Sequence, residues 1–168
     1  FMEPLRFPDN DLFKGWGEPM RIESAIDGLE IIQGAIPDGL EGTLYRNGAD
    51  WQYPSARTDD IFIDGEGMFH MFRFEGGQVS YRSRWVHTER YKLQKQARRQ
   101  LFGRYRNRHT NDPAAGDTHM GTANTTAMFH AGHLYALKED DFPYEIDPDT
   151  LGTIGRTDMD RQITSTSF

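Results

Sequence analysis

The stretch from Gly121 to Thr153 reads GTANTTAMFHAGHLYALKEDDFPYEIDPDTLGT, and its pattern predicts two consecutive β-hairpins. The first hairpin turns at Ala131-Gly132 and re-enters as a short apolar strand, Leu134 to Leu137. The second turns at Asp147-Pro148-Asp149, residue types that favour a tight reversal of the chain. Two hairpins so close together indicate a β-sheet protein.

Four further strands are predicted upstream of this stretch. The clearest lie in a hairpin whose turn is Gly76-Gly77, because a glycine doublet tolerates the positive φ of a tight turn. In its second strand, from Val79 to Val86, residue character alternates with a period of two, which is typical of a half-buried strand. Shorter strands are predicted at Leu29–Ile32 and Thr43–Arg46, with a turn at Asn47-Gly48 after the second.

One segment interrupts the strands. Residues 89–101 are rich in strong helix formers, and Gly103 is a suitable stop, so a helix is predicted there. A weak repeat is also present, since Met68-Phe69-His70 and Met128-Phe129-His130 both open predicted hairpins. Short strands at turn-marked spacing with one helical insertion indicate an all-β fold built from propeller blades. On pattern alone, a small sandwich or barrel fits equally well.

Composition limits the function and the compartment. The 168 residues suffice for one domain, in which residues 1–20 are expected to form an extended N-terminal arm and 21–168 the sheets. A net charge of -7 argues against nucleic-acid binding, which needs a concentrated basic face. The absence of cysteine excludes disulfides and fits a cytoplasmic location. The apolar runs are too short to span a membrane.

Two features of the sequence bear on chemistry. Lys138 directly follows the predicted buried strand, where an ammonium group needs a partner or a chemical role. The histidines show no fixed ligand spacing and are expected to be ordinary surface or core residues: His70, His87, His109, His119, His130 and His133. The turn at Asp64-Gly65-Glu66-Gly67 is expected to be structural, with its acids accepting backbone donors.

The hairpin stretch, together with Phe62-Ile63-Asp64-Gly65-Glu66-Gly67-Met68, resembles the carotenoid cleavage oxygenase family. The resemblance runs from about Arg21 to Phe168, and it is strongest to the bacterial enzymes that split stilbenes and phenylpropenes. It implies a seven-bladed β-propeller, of which this chain supplies only the N-terminal blades. The remainder is then a covalent or separate segment, and the fragment alone is expected to be inactive.

The resemblance also implies roles for individual residues. Tyr105 and Lys138 match a tyrosine and a lysine that grip the 4-hydroxyl group of the substrate and stabilise its phenolate. Thr125 matches a threonine beside the metal. The alternative for each is structural: Lys138 pairs with Glu139 or Asp140, Tyr105 packs, and Thr125 is an ordinary strand residue.

Ile63 departs from the lignostilbene-cleaving pattern, which has phenylalanine stacked on the substrate ring. The aliphatic side chain resembles that of the isoeugenol-cleaving relatives instead, whose substrate is a single phenol with a propenyl arm. The resemblance implies catalytic Tyr105 and Lys138, substrate contacts from these two and Ile63, and Thr125 near the iron.

The cofactor implied by the resemblance is Fe(II), held in the family by four histidines from different blades. The first ligand follows a motif that residues 162–168 lead up to, so the ligands are expected beyond Phe168 and no metal ligand is expected in this chain. The implied substrates are a small phenolic alkene and O2. Two alternatives stay open: an apocarotenoid-cleaving oxygenase and a non-catalytic propeller scaffold.

Overall fold

The computed structural model describes residues 5–55, 57 and 59–166 and contains two four-stranded antiparallel sheets and one α-helix. The first sheet has the order β1-β4-β3-β2, and the second runs in chain order from β5 to β8. The strands and the helix have these bounds: β1 Ser24–Ile26, β2 Gly42–Asp50, β3 Glu66–Glu75, β4 Gln78–Trp85, α1 Glu89–Ala97, β5 Thr126–His130, β6 His133–Leu137, β7 Tyr144–Ile146 and β8 Thr153–Arg156.

The two sheets pack against each other through one apolar cluster. Phe69 and Met71 on β3 meet Leu134 and Ala136 on β6, and all four are buried. Alternation along each strand explains this, because residues two apart share a face and these pairs are spaced by two. Burial of this shared face therefore stabilises both sheets together.

Polar contacts fasten the rim of the same interface. The turn between β7 and β8 accepts hydrogen bonds from three side chains of the first sheet. The Tyr45 hydroxyl donates to the Pro148 carbonyl at 2.8 Å, and Arg82 Nη1 donates to the Asp149 carbonyl at 2.7 Å. Arg73 Nη2 binds Asp149 Oδ1 at 2.6 Å. The predicted turn at Asp147-Pro148-Asp149 is therefore also an anchor for the first sheet.

The three hairpin turns predicted from the sequence are confirmed. Gly76 and Gly77 adopt φ of 56° and 74°, and Ala131 and Gly132 adopt 49° and 86°. Both pairs have the two positive φ values of the tight turn that matches strand twist. Asp147 Oδ1 accepts hydrogen bonds from the amides of Asp149 and Thr150, which closes the third turn.

Two predictions for the first sheet are wrong. Leu29–Ile32 forms no strand: the Leu29 amide reaches the Val79 carbonyl, but Ile32 is 94% exposed. Asn47-Gly48 is not a turn, because β2 continues through it to Asp50. Pairing with β3 along the whole length of β2 outweighs the local turn preference. Asn47 is further held by its side-chain amide, which donates to the Ala123 carbonyl at 2.8 Å.

The helix is present but shorter than predicted. α1 begins after Thr88, whose hydroxyl caps the Tyr91 amide, and ends before Arg98, which takes a left-handed conformation with φ of 55°. The predicted stop, Gly103, lies beyond the helix. It is packed so closely against Thr110 that a Cβ atom there would collide. Gly103 is therefore required for packing, not for helix termination.

Two other expectations concern the arm and the repeat. Residues 1–4 of the arm lie outside the described residues, and the remainder contains short 3-10 helices at Asp11–Phe13 and Gly15–Gly17. Phe13 is buried edge-on against Trp51, with ring centroids 5.4 Å apart. The two Met-Phe-His triplets begin hairpins, but they are not equivalent: one is in the interior strand β3 and the other in the edge strand β5. The repeat is therefore not structural.

Candidate functional site

Three of the predicted site residues converge on one carboxylate, that of Glu139. Antiparallel pairing places the start of β5 beside the end of β6, and the Thr125 amide donates to the Leu137 carbonyl at 3.0 Å. Thr125 Oγ1 then lies 3.2 Å from Glu139 Oε2. From the loop after α1, the Tyr105 hydroxyl donates to Glu139 Oε1 at 2.6 Å. Sheet pairing and the α1 loop thus bring together residues far apart in sequence.

Lys138 lies directly over the ring of Tyr105. Its Nζ atom is 4.6 Å from the ring centroid, a cation–π distance, and the residue is only 3% exposed. Its ion pair with Glu139 Oε1 is long, at 3.7 Å. The ammonium group therefore keeps hydrogen-bonding capacity for a further acceptor, such as the oxygen of a bound phenol.

The protonation states follow from these contacts. Partial burial, reinforced by the hydrogen bond to Glu139, raises the pKa of Tyr105 above its ordinary value. The same hydrogen bond is the main reason that the pKa of Glu139 is lowered. Burial raises the pKa of the neighbouring Asp140. At neutral pH the cluster therefore holds a neutral tyrosine hydroxyl bound to an ionised Glu139.

Ile63 is connected to this cluster through Asn124. Ile63 belongs to a 3-10 helix, Phe62–Asp64, and is half-buried. Asn124 Nδ2 donates to the carbonyls of Ile63 and Gly65 at 2.8 and 2.7 Å, and Asn124 precedes Thr125 in the chain. The side-chain amide of Asn124 thus joins the Ile63 segment to the chain just before β5.

The acids beside Ile63 behave differently from each other. Asp64 Oδ2 accepts from the Ile61 amide at 3.4 Å, as expected of a residue that satisfies a backbone donor. Glu66 does not: it lies in β3, and its carboxylate binds the side chains of Arg90 and Gln94, each at 2.7 Å. The expectation that Glu66 accepts a backbone donor is wrong, because its burial selects charged and amide side-chain partners.

The histidines do not assemble with the carboxylates into a metal site. Within residues 5–55, 57 and 59–166, no group of three or more His, Asp or Glu side chains could hold a metal ion. His70 Nδ1 contacts the Tyr81 hydroxyl at 2.8 Å, and His133 Nδ1 contacts Glu145 Oε1 at 2.6 Å. Both histidines are therefore engaged by neighbouring side chains.

The chain is similar to known oxygenases over nearly its whole length. The profile of the family described as retinal pigment epithelial membrane protein matches residues 17–168. Lignostilbene-alpha,beta-dioxygenase isozyme III of Sphingomonas paucimobilis is 42% identical over 162 residues, which cover 96% of this chain and 33% of that protein. Isoeugenol monooxygenase of Pseudomonas nitroreducens is 45% identical over 147 residues, covering 88% of this chain and 30% of that protein.

A solved structure agrees with the fold. The crystal structure of Pseudomonas brassicacearum lignostilbene dioxygenase superposes with a TM-score of 0.91 at 41% identity, over 98% of this chain and 34% of that one. This chain belongs to the carotenoid oxygenase family. It spans about a third of the length of the relatives that it matches.

Membership of the carotenoid oxygenase family confirms the resemblance that the hairpin stretch suggested. The fold is mostly β with one helix, as predicted, and two sheets of it are seen. Within the described part of the chain, no helix has the length and apolar character to cross a membrane.

The residues that sequence reasoning did not assign to this family's candidate site are Glu139 and Asn124. The sequence suggests Glu139 only as an ion-pair partner of Lys138. In the structure it also binds Tyr105 and Thr125. The sequence signal for Glu139 is its position directly after Lys138, at the end of a buried strand. For Asn124 the signal was weaker: a buried amide must have partners, but the sequence does not say which.

Proposed function

We propose that the full-length protein is a non-haem Fe(II)-dependent oxygenase that cleaves an alkene conjugated to a 4-hydroxyphenyl ring, using O2 and giving carbonyl products. The observation that carries this proposal is the arrangement of Lys138. A nearly fully buried ammonium group lies over the Tyr105 ring, and its ion pair with Glu139 is long, at 3.7 Å. Such a group is poised to receive an anionic oxygen.

In this proposal Tyr105 and Lys138 bind the 4-hydroxyl group of the substrate from two sides. The raised pKa of Tyr105 keeps its hydroxyl protonated, and this hydroxyl donates a hydrogen bond to the ionised Glu139. The substrate phenol donates to the Tyr105 oxygen, and its proton is taken up by Tyr105 as Tyr105 passes its own proton to Glu139. Tyr105 then donates a hydrogen bond to the phenolate, which Lys138 stabilises by charge. Charge delocalised from the phenolate into the conjugated side chain makes the alkene electron-rich.

Thr125 and Ile63 would bound the rest of the site. Thr125 shares the Glu139 carboxylate with Tyr105, so a ring held by Tyr105 extends its side chain past Thr125. Ile63 is held to the adjacent Asn124 and offers aliphatic contact instead of ring stacking. We therefore favour a phenylpropene over a two-ring stilbene as the substrate.

The metal is proposed to be held by residues outside this chain. We propose that Fe(II) is held there by histidines of further blades, in a seven-bladed propeller that residues 21–168 begin and residues 1–20 cover as an arm. When bound, Fe(II) supplies the activation of O2. The protein is proposed to be cytoplasmic and to act on a small molecule without a nucleic-acid partner.

Replacing Lys138 by methionine in the full-length protein tests this function. Met keeps the length and apolar bulk but removes the ammonium group. Turnover of a 4-hydroxylated phenylpropene should fall by about 100-fold or more, the effect of losing a charge-stabilising donor. Bound iron should be unchanged. Lys92, an exposed lysine on α1, gives the matched control, Lys92→Met, which should keep wild-type turnover.

Other results would select the alternatives. Unchanged kinetics in Lys138→Met would return this lysine to a structural role and remove the argument for a phenol. Turnover of an apocarotenoid that lacks a phenol, with none of phenylpropenes, would identify an apocarotenoid-cleaving enzyme. A full-length protein without bound iron or turnover would be a propeller scaffold.

A further inference from the structure

We infer that Gln94, together with Glu66 and Arg90, is a positioning residue. The three side chains hold the segments that carry two walls of the phenol site, Tyr105 and Ile63, to one buried anchor. The inference rests on the proposed function of that site. The hydrogen bonds of Gln94 and Arg90 go to the backbone of the segments that carry these residues, at Leu101, Phe102 and Asp64.

Gln94 links the anchor to the Tyr105 segment. Its Oε1 atom accepts hydrogen bonds from the amides of Leu101 and Phe102, at 3.0 and 3.4 Å. Its Nε2 atom donates to Glu66 Oε1 at 2.7 Å. The residue is fully buried, although it lies on a short, strongly polar helix. A buried side-chain amide whose oxygen and nitrogen are both hydrogen-bonded holds the two elements that it joins in a fixed relation.

The segment between Phe102 and Tyr105 is held tightly enough to transmit this restraint. The Gly103 amide donates to Asn111 Oδ1 at 3.0 Å, and the Arg104 amide donates to Thr110 Oγ1 at 2.8 Å. Gly103 has no space for a side chain. A displacement of Phe102 therefore passes directly to Tyr105 and changes the placement of its ring under Lys138.

Arg90 links the same anchor to the Ile63 segment. Its Nε atom binds Glu66 Oε1 at 2.7 Å, and its Nη2 atom donates to the Asp64 carbonyl at 2.6 Å. Its guanidinium also lies over the Phe102 ring, 5.0 Å from the centroid. Arg90 thus contacts the residue after Ile63 and a residue of the Tyr105 segment at once. The two walls share one support, although they are far apart in the chain.

The test is the preference of the full-length enzyme for a free phenol, measured as the ratio of kcat/KM for isoeugenol to that for its 4-O-methyl ether. Gln94→Met keeps the volume but removes both hydrogen-bonding ends. Because misplacement by about 1 Å can cost about 100-fold in rate, the ratio should fall by about tenfold or more. Gln96→Met makes the same change at an exposed position of α1 and should leave the ratio within about twofold.

The ratio separates positioning from mere stability. A purely structural role would lower the amount of active enzyme, which affects both substrates equally and cancels in the ratio. An unchanged ratio in Gln94→Met would overturn the positioning role alone. A wild-type ratio near one would overturn the phenol function and the inference together. If Gln94→Met does not fold, Gln94→Asn, whose amide is one methylene too short to reach both partners, should lower the ratio in the same direction.

Discussion

At the scale of single residues, one carboxylate organises the candidate site. Glu139 orients the Tyr105 hydroxyl, contacts Thr125 and forms a long ion pair with Lys138, at 3.7 Å. A closer ion pair would compete with a phenolate for that charge. The geometry therefore favours a lysine that binds a ligand over one that only stabilises the fold.

Substrate size is predicted to depend on Ile63. An isoleucine gives dispersion contacts but no ring stacking, and an aromatic pair adds about 0.5–1.5 kcal/mol beyond area burial. The full-length enzyme should prefer isoeugenol over a hydroxystilbene with the same 4-hydroxyl group. Ile63→Phe should shift the ratio of their kcat/KM values toward the stilbene by up to about tenfold.

The matched control for this prediction is Ile61→Phe, which makes the same change two residues away at an exposed position. It should not alter the ratio. If the wild-type enzyme already cleaves the stilbene better and Ile63→Phe leaves the preference unmoved, Ile63 is not a selectivity residue.

At the scale of elements, α1 is held by a buried ion pair as well as by the apolar packing of Tyr91. Arg90 and Glu66 form an ion pair in which both side chains are at most 3% exposed. Burial raises the pKa of Glu66, and the charge of Arg90 opposes that shift. Removing one partner of such a pair leaves a buried charge without compensation.

Arg90→Met is therefore predicted to lower the free energy of unfolding of the full-length protein by about 3–5 kcal/mol at pH 7. The raised pKa of Glu66 sets the sign of the pH dependence. A group of this kind contributes stability below its unfolded pKa and loses it as pH rises. The difference from wild type, measured by urea unfolding, should be smaller at pH 4 than at pH 7. Lys92→Met, on the exposed face of α1, is the control and should change the free energy of unfolding by less than about 0.5 kcal/mol. If Arg90→Met costs equally much at pH 4 and pH 7, Glu66 is not ionised in the native protein.

The elements also show what the sequence can predict and why. The sequence predicts a turn correctly where it contains a glycine that tolerates a positive φ, as at Gly76-Gly77 and Ala131-Gly132. Asn47-Gly48 was misassigned because pairing with a neighbouring strand decided its conformation. The site residues came from family resemblance. Their meeting at Glu139 depends on the register of β5 against β6, which no local pattern reveals.

At the scale of the whole molecule, the two sheets share one core and are expected to unfold as one unit. Leu134 on β6 is fully buried in a cluster with Phe69 and Met71 of β3. Leu134→Ala should cost about 2–5 kcal/mol. Because the core is shared, backbone amides of β3 should exchange faster along with those of β6, as measured by hydrogen exchange of the full-length protein.

Ile154→Ala provides the comparison, since this residue is 63% exposed on the second sheet. It should leave exchange in both sheets near wild type. Faster exchange confined to β6 and its neighbours in Leu134→Ala would mean that the sheets are separate cooperative units, contrary to this expectation.

The location of the candidate site has a consequence for how the enzyme can change over evolutionary time. Tyr105 lies on the connection between β4, which ends at Trp85, and β5, which begins at Thr126. Several positions there are exposed and unconstrained by strand pairing, among them Arg104, Arg106 and Asn107. Selection for a new substrate can therefore act on this connection while the hydrogen-bonded strands stay intact. Directed-evolution libraries confined to its exposed positions, with Arg90, Gln94 and Gly103 left unchanged, should yield altered specificity with few misfolded members.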